Sequence, residues 1–165
     1  MSMTASGLKV HEGEQMPSVG LRATNGYLLN LRSFVGKQPA ILVFFEGPSV
    51  TDAARERGDA LVRAMKEAQP RLSDAGVALV AISTDSEKQQ AAYLAEMELP
   101  FLLFCDERRS AVDLLGVATT DDGGNINASP TAFAVAIDGT IVDIVEQFEP
   151  RGLFARLLES IQRPR

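Results

Sequence analysis

Two side chains bound the chemistry open to this chain. Its 165 residues include one cysteine, Cys105, and one histidine, His11. A thiol can act as a nucleophile once it is a thiolate, and an imidazole can move protons near neutral pH. One of each leaves no intramolecular disulfide, no CxxC couple, no Cys/His zinc set and no two-His metal site. No GxSxG, GxGxxG or Walker pattern follows any strand, so the sequence indicates no cofactor or nucleotide site. Asp121-Asp-Gly-Gly-Asn125 offers acidic oxygens, but without the alternating ligands and terminal Glu of a calcium loop it reads as a solvated, mobile loop and not a metal site. His11 receives no role. Cys105 precedes Asp106 and Glu107, which oppose a thiolate, and Arg108 and Arg109, which favour one.

Composition narrows the setting. Hydrophobic residues make up 45% and charged residues 23% of the chain, a globular balance, and no apolar run reaches the ~20 residues that span a bilayer. The first ten residues hold no continuous apolar segment of the secretory type, so no membrane anchor and a cytoplasmic location are expected. A formal net charge of −6 repels a phosphate backbone, and no Lys/Arg stripe compensates, so nucleic acid is not an expected partner.

The elements that would position these residues follow from local pattern. Residues 1–12 read as a flexible lead-in and residues 13–165 as a single domain. Val19-Gly-Leu-Arg-Ala23 and Tyr27-Leu-Leu-Asn30 flank Thr24-Asn-Gly26, which predicts an N-terminal β-hairpin. Ala40-Ile-Leu-Val-Phe-Phe45 is an unbroken apolar run, the profile of a central strand buried on both faces. Thr51 or Asp52 can cap the next helix, where Leu61, Val62, Met65, Ala68 and Leu72 recur at helical spacing and Pro70 is expected to bend or restart it. Val77 to Ser83 predicts a second buried strand, and Thr84-Asp-Ser-Glu87 a capping box opening a helix to about Met97. Phe101–Phe104 predicts a short strand, Asp106 a cap for the helix that Gly116 ends, and residues 119–125 a polar loop. A hairpin turning at Asp138-Gly139 and an amphipathic helix from Leu153 to Ile161 close the chain. The order implies an α/β fold with a mixed central β-sheet flanked by helices.

This order, with Gly13-Glu-Gln-Met-Pro17, Asn30-Leu-Arg-Ser-Phe-Val-Gly-Lys37, Leu42-Val-Phe-Phe45, Val80-Ala-Ile-Ser-Thr-Asp-Ser86, Pro100-Phe-Leu-Leu-Phe-Cys-Asp106 and Ser129-Pro-Thr-Ala-Phe133, resembles the peroxiredoxin family of the alkyl hydroperoxide reductase and thiol-specific antioxidant (AhpC/TSA) type. The resemblance covers roughly residues 13–160 and implies a thioredoxin-like fold. It also implies a peroxidatic Cys in the first turn of the helix after the Phe-Phe strand, a Thr three residues earlier, and a Pro after the strand. Laid on this chain without gaps, those positions carry Ala53, Val50 and Glu46. A Trp-Cys-x-x-Cys motif, used by a related branch, would fall on Ser49, Val50 and Ala53 and is equally absent. Family members also place an Arg near the strand starting at Thr131, where this chain has Pro130. The resemblance further implies a cis bond before Pro130, whose neighbouring backbone could bind an extended peptide.

The sequence therefore points to a peroxiredoxin-like domain without a peroxidatic or CxxC cysteine, acting as a non-catalytic binding or regulatory module. Ser49, Thr51, Asp52, Pro130 and Thr131 are the candidate binding residues, for a protein or extended peptide at the former active-site face. A homo-oligomer pairing through that face is a further expectation. The competing reading is a one-cysteine thiol peroxidase or redox sensor working through Cys105.

Overall fold

The computed structural model describes residues 7–48, 50, 52–122 and 124–164. In chain order these form β1 (Gly20–Ala23), β2 (Leu28–Asn30), β3 (Ala40–Phe44), α1 (Asp52–Asp74), β4 (Ala78–Ser83), α2 (Glu87–Met97) and β5 (Leu103–Cys105). There follow α3 (Ser110–Leu115), β6 (Thr119–Asp122), β7 (Asn125–Ala128), β8 (Thr131–Val135), β9 (Ile141–Glu146) and α4 (Leu153–Gln162).

Seven strands make one mixed sheet in the order β2-β1-β5-β4-β3-β8-β9. Strands β3, β4 and β5 run parallel, while β1 meets β5, and β8 meets β3 and β9, antiparallel. β3 is central because each of its side chains has an apolar neighbour to face. Ile41 and Val43, with Phe45 beyond the strand end, pack with Leu61, Val62, Met65 and Leu72 of α1 and Leu157 of α4. Ala40, Leu42 and Phe44 pack on the other side with Val112 and Leu115 of α3 and with Val10 and Met16. Alternation along a strand sends successive side chains to opposite faces, so an unbroken apolar run requires cover on both.

Several local expectations change. α1 runs through Pro70 without a restart; the missing amide lies near its last turn, where keeping Leu72 in the core outweighs one lost backbone bond. The capping box at α2 is built two residues later than predicted. Ser86 Oγ accepts from the Gln89 amide at 3.2 Å, and the Ser86 amide donates to Gln89 Oε1 at 2.9 Å. Thr84 is engaged elsewhere, donating to the Ile126 carbonyl at 2.8 Å. The described residues of 119–125, a stretch expected as a mobile loop, belong instead to the β6–β7 hairpin, in register from Thr119↔Ala128 to Asp122↔Asn125. Their polar composition hid a strand pair whose turn is closed by Asp121 Oδ1 accepting from the Gly124 amide.

Residues 7–12, part of the expected lead-in, pack against the end of α3: the Lys9 amide donates to the Leu115 carbonyl at 2.8 Å and Val10 is buried. Gly116 permits this approach, since a Cβ there would stand 2.2 Å from the Gly7 carbonyl oxygen. Among the described residues no helix is long and apolar enough to cross a membrane.

Candidate functional site

The chain leaves β3 through Phe45 and reaches α1 over residues 46–51. Glu46 is 3% exposed, a position where a carboxylate needs a partner. Arg57, from the second turn of α1, supplies it. Its Nε and Nη2 donate to the two carboxylate oxygens at 3.2 and 3.0 Å, a fork-on-fork pair. Arg55 fastens the same loop from the other side, with Nη1 donating to the Pro48 carbonyl at 3.4 Å. Arg55 is itself held by Asp59 at 3.1 Å and Glu96 at 2.9 Å, and lies 5.0 Å above the Tyr93 ring. Tyr93 donates its hydroxyl to Asp59, and burial first, then that hydrogen bond, pushes its pKa far up.

Beneath the loop lies Asp85, 2% exposed, which accepts from Ser83 Oγ at 2.7 Å. Gln90 Nε2 in turn donates to Ser83 Oγ and to the Phe104 carbonyl, both at 2.8 Å. Gly47, at φ 83°, lies directly over this carboxylate: a Cβ there would fall 1.8 Å from Asp85 Oδ2. The loop therefore rests on a buried polar network and is clamped by two arginines. Sequence reasoning missed Arg55, Arg57 and Asp85. A usable signal existed at Glu46, since an acid placed straight after a fully apolar strand calls for a cation nearby.

The residues expected at the former active-site face divide. Asp52 and Ala53, in the first turn of α1, are exposed. Val50 is half-buried, and Ser49 and Thr51 lie outside the described residues. Pro130 lines a cavity of about 230 Å³ with Arg57, Leu61, Phe148 and Pro150. Thr131, by contrast, is 1% exposed and donates its hydroxyl to the Ser129 carbonyl at 3.0 Å, so its side chain serves the strand. The expected cis bond before Pro130 is not formed; the described peptide bonds are all trans. Trans is the lower-energy isomer, and here Ser129 is fixed by donating its amide to Ala118 while β7 runs directly on towards β8. A guanidinium does reach this face, from Arg57 on α1 and not from the strand at Thr131.

Cys105 stands elsewhere. It ends β5, pairs with Ser83 of β4, and is two strands from β3, about 10 Å at the usual strand spacing. It lines a second cavity, of about 480 Å³, with Arg22, Leu28, Glu87 and Arg108. Its Sγ donates to the Asp85 carbonyl at 3.1 Å. Burial pushes the thiol pKa up, and Glu107, Glu87 and Asp106 push it the same way against the Glu107 amide, so Arg108 and Arg109 do not prevail. Next to it Asp106, 3% exposed, accepts from the Ala111 and Val112 amides at 3.0 and 2.8 Å, so it serves the helix end as expected but from three residues ahead of the N-cap position, which is Arg109. The positive end of α3 is thereby spent on a carboxylate. His11 is exposed and contacts Glu14 at 3.2 Å.

Comparison with known proteins matches residues 13–144 to the AhpC/TSA family. The chain belongs to that family. It is 28% identical over 99 residues to chloroplastic peroxiredoxin Q of Populus jackii, covering 60% of this chain and 44% of the poplar protein. It is 26% identical over 110 residues to a putative peroxiredoxin bcp of Coxiella burnetii, covering 67% and 69% of the two chains. The fold matches that of the peroxidoxin BcpB from Mycobacterium tuberculosis with a TM-score of 0.77 at 18% identity, over 93% of this chain and 97% of that one. A PrxQ mutant from Xylella fastidiosa superimposes equally well, at 0.77 and 15% identity, over 92% and 95%. The chain thus has the thioredoxin-like fold of the peroxiredoxins. In this chain the Glu46–Arg57 ion pair lies at the β3–α1 junction, with the carboxylate buried and the guanidinium side partly open to solvent.

Proposed function

We propose that this AhpC/TSA-family chain is a non-catalytic binding or regulatory module and not a peroxidase. The observation that carries the reading is the Glu46–Arg57 pair at the β3–α1 junction, where the first turn of the helix presents Asp52 and Ala53 and no sulfur. Peroxide reduction needs a thiolate to attack the O–O bond, giving a sulfenic acid and an alcohol or water, a second thiol to condense with the sulfenic acid to a disulfide with loss of water, and a dithiol reductant to return that disulfide to thiols. Alanine supplies no nucleophile, and the guanidinium closest to the junction is already neutralised. The face that remains, with exposed Asp52 and the cavity beside Pro130, is open to a protein or an extended peptide; a second copy of this chain is the other occupant to test. A cytoplasmic location belongs to the same proposal, in keeping with a single unpaired cysteine.

The second reading, a one-cysteine peroxidase or redox sensor, draws on the position of Cys105 in a cavity with Arg22 and Arg108. Hydrogen peroxide consumption with dithiothreitol, comparing the native chain with Cys105→Ser, separates the two. Turnover at no more than the buffer rate by both proteins is the expected result. Turnover by the native chain that is lost in the variant would establish Cys105 as the reacting thiol and end the non-catalytic reading.

A further inference from the structure

Helices α1 and α4 pack side by side and leave a groove of about 660 Å³. Small side chains, Ala64 and Ala68 of α1 and Ala155 of α4, keep it open. Three arginines line it: Arg63 and Arg71 from α1, and Arg151 just ahead of α4. Arg22, Arg55, Arg57, Arg156 and Arg163 each hold a carboxylate. Arg63, Arg71 and Arg151 pair with none among the described residues, and all three are exposed. Glu67, one helical turn from both Arg63 and Arg71, is the single acid on the lining, so three cations face one anion. The first turn of α4 adds its positive end to the same space.

In a chain of net charge −6 this is a local reversal of sign. At physiological ionic strength charges beyond about 8 Å are largely screened, so an anion in the groove responds to these arginines more than to the whole protein. Spacing selects the kind of anion. Arg63 and Arg71 are eight residues apart on one helix, about 12 Å along its axis. Carboxylates four residues apart on an extended chain are separated by about 13 Å, which matches that span. The groove is also long. It shares Ala60 and Pro150 with the cavity at Pro130, whose lining adds Glu149, and Arg71 and Ala155 with a further cleft of about 500 Å³ reaching Gln162, where Glu159 is already held by Arg163.

We propose that this groove docks an extended acidic segment of a partner protein. The groove adjoins the former active-site face through Ala60 and Pro150, but its arginines take no part in the peroxidase question and the proposal stands whatever the peroxidase assay shows. The test is a fluorescence-anisotropy titration of the full chain with a short labelled Ser/Gly peptide carrying Asp at every fourth position. Saturable binding is expected, lost when Asn replaces Asp, weakened by salt, and weakened about tenfold or more when Arg63, Arg71 and Arg151 are all changed to Gln. Because these side chains are exposed, the triple variant should melt like the native chain; Arg71→Gln alone, expected to weaken binding about threefold, serves if it does not. Absence of saturable binding at low salt, equal binding of the Asn peptide, or unchanged affinity in the triple variant would overturn the proposal. Displacement of the peptide by inorganic phosphate as effectively as by unlabelled peptide would also overturn it, by making a small anion the occupant.

Discussion

Two strand-to-helix junctions lie at the same edge of the sheet, because β3 and β5 run parallel. At the first, β3 leads into α1, a helix of 23 residues, and the first turn carries no sulfur. At the second, β5 ends on a sulfur, but α3 has six residues and Asp106 already takes two of its first amides. One junction has a helix end without a thiol, and the other a thiol without a free helix end. The contrast shows that a cysteine beside a helix is not thereby activated. The helix lowers a thiol pKa only when its first-turn amides face the sulfur and no carboxylate competes for them.

The largest effect that would break this comparison is expected at Gly47. Gly47→Ala forces a left-handed backbone on a residue with a side chain and drives a Cβ into Asp85; a loss of about 3 kcal/mol or more in urea unfolding is expected. A loss below about 1 kcal/mol would mean that the loop is not seated on the polar network and could reopen the first junction. Arg57→Ala comes next. It strands the Glu46 carboxylate, but the Arg57 side chain is 62% exposed and water can replace part of its contribution. A loss of about 1–2 kcal/mol is expected, well under that for a fully buried pair, and it should fall below about 0.5 kcal/mol in a Glu46→Gln background. Equal losses in both backgrounds would show that the two residues are not coupled.

The smallest effect sharpens the second junction. The Cys105 thiol is raised above the ordinary value, so in the folded chain it stays protonated where a free cysteine has begun to ionise. Iodoacetamide labelling should therefore be slower than that of an unfolded control at pH 8, and should rise only at more alkaline pH. The folded form holds the extra proton in that window, so Cys105 costs stability as pH rises from the unfolded thiol pKa towards the folded one. Asp106→Asn removes one of the charges responsible and should move the labelling profile to lower pH. No movement would leave the shift to burial and to the charges of Glu107 and Glu87.

Much of the fold was readable along the chain. Residues 40–45 had to be a central strand, since only a site covered on both faces buries six apolar residues in a row. The hairpins at Asn25-Gly26 and Asp138-Gly139, and the service of Asp106 to the start of α3, followed from local backbone preferences. The β6–β7 hairpin was not legible, because its strands carry Asp, Asn and Thr where alternation of apolar residues would have marked them. The true cap of α2 was hidden for a related reason: Thr84 and Ser86 both fit the local pattern, and only a carbonyl 42 residues further on drew Thr84 away.

The candidate site divides along the same line. Residue identity determined that no sulfur stands in the first turn of α1 and that any cysteine chemistry must run through Cys105, since these are facts of composition and position. Tertiary structure decided how the β3–α1 junction is held. Glu46 meets Arg57 across eleven residues, Gly47 meets Asp85 across 38, and Thr131 turns into the strand while Pro130 stays trans. Each depends on which side chains the packing of α1, β4 and β8 brings within hydrogen-bond range, and the strength of such contacts depends on burial that no single stretch of sequence contains.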